Sequence, residues 1–144
     1  FASSHDGAAP FSLTDMPYGP QVLWPDHCIQ GSDGAAFHPA LDTMRADVVI
    51  RKGSNPAVDS YSAFFENDKA TATGLAGLLR DRGCEELTMV GLATDYCVAW
   101  SALDGVANGF RVEVRLPTCR AIDLDGSLDR SLADMRAAGV TLVE

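Results

Sequence analysis

The sequence predicts an α/β protein built on a parallel sheet. Two observations carry this prediction. Short apolar runs alternate with stretches of helical period through the second part of the chain, and each helical stretch is closed by a glycine. Composition agrees: 144 residues, 47% hydrophobic and 22% charged, suit a single domain over 1–144 with one core.

In chain order, Phe1 to about Leu41 is rich in Gly, Pro, Ser and Asp and shows no sustained period. Irregular stretches this long are uncommon in compact domains and often functional. Asp47–Arg51 reads as a short buried strand ending at Lys52-Gly53, and a second irregular stretch runs from Ser54 to Asn67. Thr73–Arg82 reads as a helix with leucines at 75, 78 and 79, stopped by Gly83. Leu87–Leu92 is a strand, Asp95–Asn108 a helix with Gly109 as its C′ residue, and Arg111–Leu116 a strand. Leu128–Ala138 is a helix closed by Gly139, and Val140–Val143 a last strand. Such alternation implies right-handed crossovers, with chemistry sited beyond the carboxyl ends of the strands.

Charge narrows the partners. Eleven Lys and Arg against twenty Asp and Glu leave a net −9, unsuited to a nucleic-acid backbone or an anionic membrane surface. No apolar run approaches the ~20 residues of a spanning helix. The four cysteines, at 28, 84, 97 and 119, form no Cys-x-x-Cys, so reduced thiols in a cytoplasmic protein are expected. There is no Gly-x-Gly-x-x-Gly, P-loop, His-Glu-x-x-His or Gly-x-Ser-x-Gly.

Cys97 stands apart from the other three. The strand Leu87–Leu92 runs through Ala93-Thr94-Asp95-Tyr96 directly into a helix, with Thr94 or Asp95 as N-cap and Cys97 in or near the first turn. The helix dipole and free N–H groups there favour thiolate, and the same N–H groups could hold an oxyanion. Taken alone, a small apolar Cys packed under a helix is the commoner arrangement. Lys52 should emerge at the same edge of the sheet, where a cation favours a neighbouring thiolate, although a strand-end Lys is usually just solvated. Within Trp24-Pro25-Asp26-His27-Cys28, His27 alone cannot make a metal site, which generally takes three or more protein ligands. Tyr61, Phe64 and Phe65 read first as packing at a loop edge.

Four blocks then carry a resemblance: Val22–Gly31 with Trp-Pro-Asp-His-Cys at its centre, Arg51-Lys52-Gly53, Val58–Asn67, and Gly91–Val98. In this order they resemble the nicotinamidases, within the isochorismatase-like cysteine hydrolases, and the likeness covers essentially the whole chain. The resemblance implies a three-layer α/β/α fold and hydrolysis of nicotinamide to nicotinate and ammonia, in NAD salvage, through a cysteine thioester. It implies Cys97 as nucleophile, Lys52 as the lysine of an Asp-Lys-Cys triad, and a cis peptide before Ala93 that turns the Ala93 and Cys97 amides into an oxyanion hole. It implies His27 as a ligand of a divalent zinc or iron ion, with Trp24, Tyr61 and Tyr96 walling the pocket of a flat heteroaromatic ring. A homo-oligomer is compatible with it.

The departures matter as much. The family's Asp-x-Gln-x-Asp-Phe and Asp-x-His stretches, which carry the triad Asp and further metal ligands, do not occur here. The chain is therefore expected to lack the family's first two strands and first helix, which would lie mid-sheet. The Asp47–Arg51 and Leu87–Leu92 strands would then each show an apolar flank. These residues on their own are expected to show no appreciable turnover, so an inactive fragment stands as one alternative. A related amidase or isochorismatase-like hydrolase of other substrate stands as another.

Overall fold

A computed structural model describes residues 1–144. The chain divides into two compact units, Phe1–Val49 and Ile50–Glu144.

The first unit is organised by a hairpin that the sequence reading passed over. Strands β1 (Leu13–Met16) and β2 (Gly19–Val22) pair antiparallel, with Met16 opposite Gly19 across a two-residue turn. Leu23 N–H donates to the Ser12 carbonyl at 2.8 Å, and Phe11 N–H to that of Leu23 at 2.7 Å, so pairing runs past the strand ends. Pro20 hides this strand from a pattern search, because proline cannot donate to a ladder and is tolerated only where its nitrogen faces outward. Trp24 is buried beside the hairpin, with the Phe11 ring edge-on at 5.9 Å.

The second unit carries the parallel sheet. Its strands β3 (Glu86–Leu92), β4 (Arg111–Arg120) and β5 (Thr141–Val143) lie side by side in sequence order. Helix α1 (Leu75–Asp81) precedes β3, α2 (Ala99–Ala107) links β3 to β4, and α3 (Ser127–Ala137) links β4 to β5. Parallel neighbours need such crossovers, because a tight turn cannot return the chain to the same end of the sheet. Gly83 and Gly109 follow the ends of α1 and α2 with φ of +69° and +90°, the left-handed geometry their positions require. No helix is long and apolar enough to cross a membrane.

Two strand expectations need correction. Asp47–Arg51 is not a strand: it joins no β-ladder, and Val48 and Val49 are 40% and 48% exposed. Three apolar residues in a row are compatible with a buried strand, but only a hydrogen-bond partner makes one. Strand β4 runs four residues beyond the expected Leu116, because the register between Met89 and Gly91 shifts across a bulge that takes up Pro117.

The core joins Phe64, Val98, Ala99, Ala102, Phe110, Val112, Val114, Cys119, Met135 and Val140, with Leu75, Ala76 and Leu79 of α1 packed against it. Leu87 and Met89 of β3 pack against this core, whereas Val90 and Leu92, on the alternate positions, are 57% and 71% exposed. Only one edge of β3 is paired. All four cysteines are free, and Cys119 is simply a core side chain.

Gly105 shows how tightly α2 sits on this sheet. A Cβ there would lie 3.0 Å from Val112 Cγ2, 3.4 Å from Met89 Cε and 3.5 Å from Phe64 Cε2. Gly105→Ala gains about 1 kcal/mol of helix propensity, but overpacking typically costs 1–3. A net loss of about 1 kcal/mol is expected in urea denaturation. A stabilised variant would mean that the α2–β4 contact yields easily.

Candidate active site

Beyond the carboxyl end of β3 the Leu92–Ala93 peptide is cis, at the position expected. The chain then departs from the predicted helix. Thr94–Val98 forms a wide π-turn, and α-helical geometry begins only at Ala99. The Ala93 carbonyl accepts the N–H groups of Tyr96 (3.2 Å) and Val98 (3.0 Å), on either side of the Cys97 amide. Such single wide turns are frequent at functional sites. Cys97 therefore lies just before α2, near its first turn.

Neither expected N-cap acts as one. The Asp95 carboxylate is buried and turns away from its own helix. It accepts the N–H groups of Ile122 (3.0 Å) and Asp123 (2.7 Å) and the Ser127 hydroxyl (2.5 Å). Burial pushes this carboxyl upward, but the Ser127, Ile122 and Asp123 bonds outweigh it, so it stays charged below the ordinary carboxylate range. Farther along, Ser101 donates to the Cys97 carbonyl at 2.6 Å and accepts the Ala63 N–H at 2.9 Å. The turn is thus held from both sides.

Lys52 meets this turn from 45 residues away in sequence. Its ammonium donates to the Ser60 carbonyl at 2.6 Å and lies 3.7 Å from Cys97 Sγ. Both residues are half-buried, and no carboxylate is among the partners of either. They line a cavity of about 450 Å³ shared with Tyr61, Phe64, Leu87 and Met89. Its wall is mostly apolar, with one cation and one thiol, a surface suited to a flat organic molecule with a single polar group.

Tyr61 is 8% exposed and stands edge-to-face against Tyr96 (5.5 Å) and Trp100 (5.1 Å). Tyr96 backs Tyr61 and is not itself part of the cavity lining. Burial pushes its phenol above the usual range, and the Asp95 charge adds to this, so the ring stays neutral. Trp100 was missed in the sequence, although it lies on the same helical segment as Cys97. The Lys69 ammonium sits 4.3 Å over the Trp100 ring and pairs with Asp104 at 2.9 Å.

In the first unit, His27 is exposed and its Nδ1 donates to the Pro25 carbonyl at 2.7 Å, which leaves the Nε2 lone pair for another partner. Phe1 packs edge-on to it at 5.2 Å.

The comparison with known proteins follows this geometry. Residues 6–144 match the isochorismatase domain. The chain belongs to the isochorismatase family. It is 51% identical over 140 residues to a nicotinamidase of Acinetobacter baylyi, covering 97% of this chain and 65% of that protein. A solved nicotinamidase/pyrazinamidase of Acinetobacter baumannii superposes with a TM-score of 0.98 at 49% identity, over 100% of this chain and 70% of the other. A structure from L. infantum in complex with nicotinate gives 0.81 at 43% identity, over 85% and 61%. The chain thus spans about two thirds of the length of these relatives. The α/β fold with its parallel sheet is that of the isochorismatase family.

A family member from Pyrococcus horikoshii, a pyrazinamidase in complex with zinc, gives a TM-score of 0.72 at 32% identity, over 85% and 64% of the two chains. The donors present in this chain do not fit such an ion, because no three His, Cys, Asp or Glu side chains gather as a ligand set. His27 offers one nitrogen.

Proposed function

We propose that the protein carrying these residues hydrolyses nicotinamide to nicotinate and ammonia through a thioester on Cys97. The observation that carries this reading is the 3.7 Å approach of the Lys52 ammonium to Cys97 Sγ inside an apolar cavity walled by Tyr61. The 51% identity to a nicotinamidase supports the choice of amide.

The chemistry divides between two steps. The Cys97 sulfur bonds to the carboxamide carbon, and the carbonyl π pair moves onto oxygen. We assign the Ala93 and Cys97 N–H groups to that oxyanion. The oxyanion pair then re-forms the carbonyl as the C–N bond breaks, and the nitrogen takes the proton given up by the thiol and leaves as ammonia. Water attacks the thioester, releasing the acid and restoring the thiol. Lys52 holds its ammonium beside the attacking sulfur, 3.7 Å away. Tyr61, backed by Tyr96, is assigned to one face of the ring. None of these steps is routed through a metal.

The test is ammonia release from nicotinamide, with pyrazinamide as surrogate, by the complete gene product containing these residues. Turnover of nicotinamide well above that of an aliphatic primary amide is expected. Hydrolysis of the aliphatic amide alone would move the substrate elsewhere in the family.

A further inference from the structure

Glu66 is 4% exposed, yet it belongs neither to the apolar core nor to the cavity wall. Its carboxylate accepts one N–H, that of Gly53, at 3.1 and 3.4 Å from its two oxygens. Gly53 follows Lys52 and has a φ of +67°, so the chain turns sharply just beyond the lysine. The neighbouring Asn67 grips the other arm of the same loop. Its Oδ1 accepts the Tyr61 N–H at 2.9 Å, and its own N–H donates to the Asp59 carbonyl at 2.8 Å.

Between these two grips the Lys52 ammonium reaches the Ser60 carbonyl and Cys97 Sγ. Burying a carboxylate without a cation costs free energy, and a neutral residue would fill the same space without that cost. What Glu66 adds is a fixed anchor one peptide bond from Lys52.

We propose that Glu66 is a positioning residue, whose hold on the Gly53 amide sets the Lys52 ammonium against the Cys97 thiol. This rests on the reading of Lys52 as the cation that serves the Cys97 sulfur, and it requires no particular substrate.

The experiment is the rate of iodoacetamide alkylation at pH 7, read on the Cys97 peptide by mass spectrometry so that Cys28, Cys84 and Cys119 do not contribute. Lys52→Met is expected to slow alkylation about tenfold. Glu66→Leu should slow it to a similar extent, and the double variant should be no slower than Lys52→Met alone, since both remove one interaction. Glu66→Gln keeps an oxygen for Gly53 and should stay within about twofold of wild type. Glu66→Ser is made alongside Glu66→Leu, so that a folding failure of one leaves the other.

If Lys52→Met slows the reaction but Glu66→Leu and Glu66→Ser do not, the positioning role is overturned while the reading of Lys52 stands. Additive slowing in the double variant, or Glu66→Gln as slow as Glu66→Leu, overturns it too. A Lys52→Met rate equal to wild type removes the reading of Lys52, and the role of Glu66 with it.

Discussion

Cys97→Ala is expected to lower ammonia release from nicotinamide by at least about 10⁴-fold in the complete gene product, the scale seen when a nucleophile is removed from a covalent mechanism. No other thiol can substitute. Cys119 is in the core, and the cavity beside Lys52 is lined by Cys97 alone among the cysteines. The change should leave the fold intact, because the side chain is only half-buried and its backbone carbonyl keeps the Ser101 bond. Thermal melting should therefore stay within a few degrees of wild type, on the order of 1 kcal/mol or less. Acid quenching during turnover should trap a nicotinoyl thioester on the Cys97 peptide of the wild-type protein. Turnover by Cys97→Ala above a few per cent of wild type would remove the nucleophile assignment.

Asp95→Asn is expected to produce the largest stability effect, a loss of about 3 kcal/mol at neutral pH. Hydrogen bonds to a charged group are worth about 1.5–3 kcal/mol each, and unpaired buried donors add a penalty. The carboxylate accepts three donors while only 5% exposed. An asparagine amide would face one or more of them with N–H groups of its own. The dependence on pH follows from the direction of the shift. The folded carboxyl lies below its ordinary 3.8. Its stabilisation is therefore complete above that ordinary value and is lost as pH falls through the lowered one. Urea denaturation of both proteins should give a wide gap at pH 7 that narrows as pH falls below the ordinary carboxylate value of 3.8. A gap under 0.5 kcal/mol at pH 7 would show that the loop around Ile122 does not depend on this carboxylate.

Much of the second unit was legible in the sequence. Strand β3, the helix before it and the glycines closing each helix are all written in local patterns, an apolar run or a residue with positive φ. The first unit was less legible. Its hairpin mixes proline, glycine and polar residues, so no alternation marks it. Val48-Val49-Ile50 erred in the opposite direction, because an apolar run signals burial without supplying a ladder partner. At the site, Cys97 and Lys52 could be singled out from their places after apolar runs. Their approach, the role of Glu66 and the direction of the Asp95 carboxylate could not. Each depends on a contact between segments 13 to 45 residues apart, and no local period encodes such a contact.

The Asp95 contact joins two successive strand-to-helix loops, the one after β3 that carries Cys97 and the one after β4 that carries Ile122 and Asp123. Loops on such scaffolds are usually treated as separate cassettes, to be exchanged one at a time when a new substrate range is sought. Here the two form one transferable piece. Grafting the Thr94–Val98 turn into another member of the fold without residues 122–127 would leave a buried charge with no donors. Randomising 122–127 in a library would disturb the turn that carries Cys97 without altering any residue that lines the cavity.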